Sequence, residues 1–172
     1  MARLADLDLV WHFIGPIQTN KTRAIAESFA WVHSVDRLKV AERLAAQRRR
    51  GATPLALCIE VNVSGEKSKS GVAPEAASGL AHAVARLPAL QLRGLMAIPE
   101  PTSDAALQRQ RFEALSALKA RLVREGLPLD TLSMGMSDDL EAAIEAGATM
   151  VRVGTAIFGP RTPQTETADL RR

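Results

Sequence analysis

An alternation of strand-like and helix-like segments runs through the chain and constrains its fold more than any other feature. Six short segments rich in apolar or β-branched residues predict strands, and each is followed by a helical pattern or a turn. These segments are residues 10–14, 31–34, 55–63, 92–97, 132–134 and 150–153. Strands that alternate with helices form parallel sheets, so the sequence predicts an α/β fold.

The helical segments carry recognisable start and stop signals. Helices are predicted at residues 21–29, 36–49, 74–87, 103–125 and 138–146. Thr102 or Ser103 is expected to cap the fourth helix and Ser137 the fifth, because hydroxyl side chains accept the free amide hydrogens of a first helical turn. Gly126 and Gly147 follow the ends of these two helices, as glycines often do.

Two parallel architectures fit this order, an open doubly wound sheet and a closed (β/α)8 barrel of the TIM type. Polar residues inside the predicted strands favour the barrel. Glu60 and Asn62 alternate with apolar neighbours, and Arg152 lies between two valines. A barrel strand presents one face to the helices and the other to the lumen, where polar residues near strand ends form sites. An edge strand with one solvated face is the alternative.

Composition excludes several classes of protein. The 172 residues favour one domain, predicted at 1–161, with a polar tail at 162–172. No apolar run approaches the roughly 18 residues of a membrane helix, and no secretory signal is visible, so a cytoplasmic location is expected. The net charge of +3 comes without a basic stripe that carries aromatic residues, so no nucleic-acid partner is expected. The histidines lack metal-ligand spacing, and no metal is expected.

Two turns near the end of the chain carry the strongest chemical signal. Ser137 follows Gly135 in the turn after the fifth predicted strand, and Gly154 and Thr155 follow the sixth. Barrels often bind phosphate in the loops after their last two strands, where free helix-start amides attract anions. We therefore expect Ser137, Gly154 and Thr155 to hold a phosphate group.

Arg152 is the second signal, because a lumen-facing arginine needs a partner or a ligand. A salt bridge to Glu60 is one candidate. The pyridine nitrogen of a bound cofactor is the other, and an arginine there would disfavour ring protonation and weaken the cofactor as an electron sink. The sequence alone leaves both candidates open.

Six spaced motifs resemble those of the pyridoxal phosphate homeostasis proteins (YggS/PROSC). They are residues 11–21 (WHFIGPIQTNK), 33–36 (HSVD), 60–71 (EVNVSGEKSKSG), 93–99 (RGLMAIP), 132–139 (LSMGMSDD) and 151–159 (VRVGTAIFG). The resemblance implies a barrel like the N-terminal domain of alanine racemase, and pyridoxal 5′-phosphate (PLP) bound without established turnover. It implies that Asn62 and Met134 line the pocket, that Arg152 faces the pyridine nitrogen, and that Lys69 lies near the site entrance.

One departure from the family pattern affects the expected chemistry. The Schiff-base lysine of the family lies on a first strand upstream of the Trp11–His12 motif, and none of the five lysines of this chain matches it. We expect about six of eight βα units, with the N-terminal two missing, as in a fragment or a misassigned start. Covalent attachment of PLP is therefore doubtful. The family is mostly monomeric, whereas open sheet edges in this chain predict self-association.

Three functions remain to be weighed. The expected one is a non-catalytic PLP carrier in vitamin B6 and amino-acid homeostasis. A PLP racemase or decarboxylase of the same fold is the second, although the chain has no tyrosine to act as the base that alanine racemases use. A barrel enzyme that acts on a phosphorylated metabolite is the third, with Glu60 and His12 as its only candidate pair.

Overall fold

The computed structural model describes residues 6–66 and 70–159. A five-stranded parallel sheet, in the order β1-β2-β3-β4-β5, forms one layer, and helices cover one of its faces. The elements in chain order are β1 (His12–Phe13), α1 (Thr22–Ser28), β2 (Trp31–Val35), α2 (Leu38–Gln47), β3 (Leu55–Glu60), α3 (Ala77–Ala85), β4 (Leu90–Met96), α4 (Ala105–Arg124), β5 (Thr131–Ser133), α5 (Leu140–Glu145) and α6 (Thr155–Phe158).

The strand order decides between the two architectures. Every strand pairs with the strand that precedes it in sequence, so the sheet has no point at which the order reverses. A doubly wound sheet requires such a reversal, whereas a (β/α) barrel adds each strand beside the last. The prediction of a barrel-type fold is confirmed, in the form of a half-barrel.

Residues of β3 show how the two faces of the sheet differ. Leu57 and Ile59 belong to the hydrophobic core that packs against the helices, whereas Cys58 and Glu60, although buried, lie outside that core on the opposite face. The sheet curves around this second face, because His33 on β2 lies 2.8 Å from Ser133 on β5 although β3 and β4 separate their strands. We call the space inside this curve the lumen.

The sixth predicted strand is wrong in extent. Only Met150 pairs as a strand, through a single parallel bridge to Ser133. Gly135, two residues after the end of β5, adopts a φ of +93°, which turns the backbone out of the extended conformation that a longer ladder needs. The segment continues beside β5 through one further bond, from the Arg152 amide to the Gly135 carbonyl at 3.0 Å.

The predicted caps of α4 and α5 are also wrong. Asp104, not Thr102 or Ser103, caps α4 by accepting the amide hydrogens of Ala106 and Leu107. The fifth helix begins at Leu140 and not at residue 138, and Ser137 does not cap it. The Asp139 carboxylate accepts the Met136 amide hydrogen at 2.6 Å and holds residues 136–139 in a turn, which delays the helix.

The helices of the described ranges give no sign of a membrane span. None of them combines the length and the hydropathy that crossing a bilayer requires.

Candidate functional site

Arg152 directs its guanidinium group into the sheet, between the ends of β4 and β5. Its Nη1 donates to the carbonyl and the hydroxyl oxygen of Ser133 at 2.9 and 2.8 Å, and its Nη2 donates to the Ala97 carbonyl at 2.8 Å. Its Nε–H is buried and has no partner among residues 6–66 and 70–159. Burial lowers the pKa of this guanidinium, and the charges of Asp139 and Glu60 offset part of that effect. Within the described part of the chain, Arg152 therefore offers one buried hydrogen-bond donor without an acceptor.

Glu60 does not form the salt bridge that sequence reasoning offered as an alternative for Arg152. Within the described part of the chain, no ion pair closer than 4.0 Å joins the two side chains. Burial and, to a smaller extent, the charge of Asp36 raise the pKa of the Glu60 carboxyl to about 7, with the charge of Arg152 offsetting part of their effect. Glu60 is only 6% exposed, which is why desolvation is the largest cause of this raised pKa.

A row of polar side chains leads from Arg152 across the lumen to β1. Ser133 Oγ lies 2.8 Å from His33 Nδ1, and His33 Nε2 lies 2.8 Å from His12 Nδ1. Burial, together with the charges of His12 and Arg152, lowers the pKa of His33 to about 4, so the ring is neutral at physiological pH. Burial also lowers the pKa of His12. We call Arg152, Ser133, His33 and His12 the lumen chain.

Sequence reasoning missed the lumen chain, although a signal for it existed. It offered His12 as a possible partner of Glu60 and assigned His33 no role in the site. His33 and Ser133 occupy strand positions that alternate with the core-facing Val32 and Leu132, so both were assignable to the lumen face. Their contact was not assignable, because 100 residues separate them in sequence.

Aromatic and cationic side chains pack beside the outer end of the lumen chain. The rings of His12 and Trp31 stack with a centroid distance of 5.3 Å and an interplanar angle of 6°. The Arg93 guanidinium lies 5.0 Å from the centre of the Trp31 ring and pairs with Asp130. A cation over an indole face is a stabilising contact, so this stack fixes the position of His12.

The residues expected to hold phosphate are only partly brought together. Gly154 precedes α6 and Thr155 begins it, two and three residues after Arg152, and both are exposed. The turn that carries Ser137 runs beside them through the bond between Arg152 and Gly135. Ser137 is half-buried and lines a cavity of about 490 Å³ between α4 and α5. Its convergence with Thr155 on one phosphate group stays a prediction.

Two expected pocket residues have other contacts in the structure, and the lysine expected at the entrance falls outside the part it describes. Met134 is fully buried in the hydrophobic core, on the helix side of β5, and this differs from the expectation that it lines the pocket. Asn62 donates to the Glu66 carbonyl and accepts the Gly65 amide hydrogen, so its side chain closes its own loop. Lys69 lies outside the described residues.

Replacing Glu60 with glutamine is expected to stabilise the protein at alkaline pH only. The carboxyl has its ordinary pKa near 4.5 when unfolded and about 7 when folded, so its contribution to stability is full below pH 4.5 and is lost as the pH rises through 7. An amide avoids this loss. We expect Glu60→Gln to gain about 2 kcal/mol in urea denaturation at pH 8 and almost nothing at pH 4.5.

The exposed Glu113 on α4 provides the matched control for Glu60. Glu113→Gln removes the same charge from a solvated helix face, so its effect should be small at both pH values. Equal gains from Glu60→Gln at pH 4.5 and pH 8 would show that the Glu60 carboxyl has no raised pKa.

Comparison with known proteins identifies relatives of this chain. A profile for the family "Alanine racemase, N-terminal domain" matches residues 3–162. The pyridoxal phosphate homeostasis protein of Pseudomonas aeruginosa is 66% identical over 160 residues, which are 93% of this chain and 68% of that protein. The protein of the same name from Escherichia coli K12 is 54% identical, with 89% of this chain and 65% of that protein covered. The chain thus spans about two thirds of their length.

Solved structures agree with this relationship. PipY of Synechococcus elongatus, solved with PLP bound, superposes with a TM-score of 0.83 at 36% identity, covering 92% of this chain and 74% of PipY. An alanine racemase of Clostridium difficile superposes with a TM-score of 0.76 at 13% identity, covering 94% and 42%, and shares the fold. The half-barrel, the six motifs and these similarities together show that the chain belongs to the alanine racemase N-terminal domain family, among the pyridoxal phosphate homeostasis proteins.

Proposed function

We propose that this chain binds PLP at the mouth of its lumen and acts as a non-catalytic carrier in vitamin B6 and amino-acid homeostasis. The names of its relatives and the PLP in PipY support the proposal. The observation that carries it is the buried Nε–H of Arg152, a donor for which the described residues supply no acceptor. A buried donor without an acceptor lowers the stability of the folded protein unless a ligand supplies the acceptor.

The pyridine nitrogen of PLP fits this donor. An arginine remains protonated and only donates, so the ring nitrogen that meets it must accept and stay unprotonated. Bound PLP can act as an electron sink, and this capacity weakens when the ring nitrogen carries no proton. The chemistry of Arg152 thus suits holding PLP better than activating it.

Ser137, Gly154 and Thr155 are proposed to hold the phosphate group. The first amides of a helix have no intrahelical partner, and α6 begins at Thr155, three residues after Arg152. Gly154 is exposed, and a Cβ added to it would meet no atom within 4 Å, so its backbone is open to close approach. Gly154 and Thr155 would then hold the phosphate group two and three residues after Arg152, which meets the ring, and Ser137 would contact the phosphate from the neighbouring turn.

PLP binding to this chain is proposed to be non-covalent. The lysines of the described residues are Lys21 before α1, Lys39 on α2 and Lys119 on α4, all on the helical layer and not on a strand that faces the lumen. Lys67 and Lys69 lie outside the described residues. We therefore propose that none of these lysines forms an imine with PLP.

The first test is a titration of the full chain with PLP, pyridoxal and inorganic phosphate, followed by quenching of tryptophan fluorescence. We expect PLP to bind at least about tenfold more tightly than pyridoxal, because only PLP engages the charged phosphate contacts. Equal affinities for PLP and phosphate would contradict the ring contact. A strong imine absorbance band that Lys21→Ala or Lys69→Ala removes would contradict non-covalent binding.

Turnover separates the carrier from the two enzymes weighed above. No observation supports a Glu60–His12 pair for a phosphometabolite enzyme, because His12 bonds to His33. The carrier is expected to leave D- and L-alanine unconverted in the presence of PLP. Interconversion of the alanine enantiomers by the purified chain would overturn the proposal in favour of a racemase.

Self-association of the chain is a further prediction, because apolar residues are exposed next to the open edge of β1. Among residues 6–66 and 70–159, β1 pairs only with β2, and Val10 beside it is 64% exposed. Unpaired strand edges recruit other chains, and a charge placed there opposes this. We expect a mass above that of the monomer in analytical ultracentrifugation, and Val10→Lys to lower it.

Val123→Lys is the matched control for the sheet edge. Val123 is 43% exposed on α4, within the helical layer, so a lysine there should leave the mass unchanged. A monodisperse wild-type monomer would show that the edge of β1 does not recruit a second copy.

A further inference from the structure

We infer that His33 is a positioning residue that orients Arg152 through a chain of hydrogen bonds donated in one direction, from Arg152 to Ser133, from Ser133 to His33 and from His33 to His12. The inference rests on the proposed function only where it concerns PLP. It assigns a defined tautomer to both histidines and a task to a residue that touches no cofactor.

The direction of the chain follows from Arg152. A guanidinium has donors and no acceptor, so Ser133 Oγ must accept at its 2.8 Å contact with Nη1. The Ser133 hydroxyl has one proton left to donate. Among the described residues, the only other group at hydrogen-bond distance from this oxygen is His33 Nδ1, also at 2.8 Å. Ser133 is fully buried, so a proton directed elsewhere would lack a partner.

The tautomers of the histidines follow in turn. His33 Nδ1 accepts from Ser133 and carries no hydrogen, so the neutral ring holds its proton on Nε2. Nε2 then donates to His12 Nδ1 across 2.8 Å, which places the proton of neutral His12 on its own Nε2. The low pKa of His33 agrees with a neutral ring in this position. The opposite order would leave the buried Ser133 hydroxyl proton unpartnered.

The direction of these hydrogen bonds affects Arg152 because it fixes the orientation of the Ser133 hydroxyl, whose oxygen accepts from the guanidinium. Ser133 Oγ, directed by His33, and the carbonyls of Ser133 and Ala97 together allow one orientation of the planar fork. In that orientation Nε is the donor left over. If His33 no longer accepted the hydroxyl proton, Ser133 would be free to rotate and Arg152 would lose its best-directed acceptor.

The test combines nuclear magnetic resonance of the full chain with ligand binding. In ¹⁵N-histidine-labelled protein at pH 7.5, without ligand, both His33 and His12 are expected as the Nε2–H tautomer. In ¹⁵N-arginine-labelled protein, the Arg152 Nε–H signal is expected to be resolved and slow to exchange, because this atom is buried. An Nδ1–H tautomer of His33 would overturn the inference.

Three variants separate positioning from mere packing. His33→Leu and Ser133→Ala break the chain, whereas His33→Asn places an amide oxygen near the position of Nδ1 and should rescue it. We expect the first two to speed exchange of the Arg152 Nε–H and to weaken PLP binding about tenfold, as for one lost hydrogen bond to a charged group. His33→Asn should stay within about twofold, and inorganic phosphate affinity should not change.

Each failure has its own signature. If the wild type does not bind PLP, the proposed function fails, while the tautomers and the Arg152 exchange rate still decide the inference. If His33→Leu folds but leaves both the Arg152 exchange rate and PLP affinity unchanged, the inference fails while PLP binding stands. Should His33→Leu not fold, Ser133→Ala makes the same comparison with a smaller change in volume.

Discussion

Replacing Gly94 with alanine is expected to cost at least about 3 kcal/mol of folding free energy. Gly94 lies in β4, where it pairs with Cys58 on β3 and Thr131 on β5. A Cβ at this position would overlap the Thr131 carbonyl oxygen and lie 2.6 Å from its carbonyl carbon and 2.9 Å from its Cα. These are backbone atoms of the neighbouring strand, so no side chain can rotate away and β5 itself must move.

Gly79 provides the matched control for this substitution. It lies inside α3, its φ is not in the left-handed region, and a Cβ there would meet no atom within 4 Å. Gly79→Ala should therefore raise stability by about 1 kcal/mol through helix propensity. Urea denaturation of both variants against the wild type measures the contrast. A loss below about 1 kcal/mol for Gly94→Ala would show that β4 and β5 can separate at this point at little cost.

The close approach at Gly94 also matters for the site. Arg152 reaches the Ala97 carbonyl after the end of β4 and the Ser133 carbonyl at the end of β5 with a single guanidinium group. A planar fork spans only a fixed distance between its acceptors. The Arg152 guanidinium can therefore donate to both carbonyls only while β4 and β5 remain this close together.

Most of the fold could be predicted from the alternation of strand-like and helix-like segments in the sequence. The apolar runs at residues 55–63 and 92–97 became neighbouring parallel strands, and Glu60, which follows the apolar Ile59 in β3, lies on the lumen side, as the barrel prediction requires. Period-two alternation works here because each strand has one face against the helices and one toward the lumen. The same alternation places Met134 and its neighbour Ser133 on opposite faces of the sheet. Met134 then faces the helices, so its burial could be predicted from the sequence.

Other features depend on contacts that a local pattern does not carry. Asn62 lies beyond the last residue of β3, where alternation no longer fixes direction, and its amide bonds to the loop instead. The Asp139 carboxylate accepts the amide hydrogen of Met136, and the turn that this bond closes competes with an earlier start of the helix. The pairing of His33 with Ser133 requires the sheet to curve, and curvature is set by the whole assembly and not by either strand.

Replacing Arg152 has the second large expected effect, and it acts on both stability and ligand binding. Arg152→Met removes three donated hydrogen bonds and leaves the Ala97 carbonyl and the Ser133 hydroxyl oxygen without the Arg152 donor, whereas the Ser133 carbonyl still accepts the Ala97 amide hydrogen at 3.2 Å. Unsatisfied buried acceptors cost about 1–3 kcal/mol each, and solvent that enters the open lumen offsets part of this, so we expect a loss of about 3 kcal/mol. Urea denaturation measures it.

Arg152→Lys distinguishes the charge of the side chain from its shape. An ammonium keeps the charge but has no Nε–H and no planar fork, so it can satisfy one or two of the three acceptors and presents no directed donor to a pyridine nitrogen. We expect a stability between those of the wild type and Arg152→Met. If charge alone mattered, Arg152→Lys would match the wild type in both stability and PLP affinity.

Ligand binding by the same variants then tests the proposed ring contact, measured where each variant is folded. PLP affinity should fall about 10- to 100-fold in Arg152→Met and about tenfold in Arg152→Lys, the range expected for a lost hydrogen bond to a charged group. Inorganic phosphate should bind all three proteins alike, because its proposed contacts are Ser137, Gly154 and Thr155. If the affinities for phosphate and PLP fall equally, Arg152 contacts the phosphate group and not the ring. If the PLP affinity does not change, Arg152 is not part of the binding site.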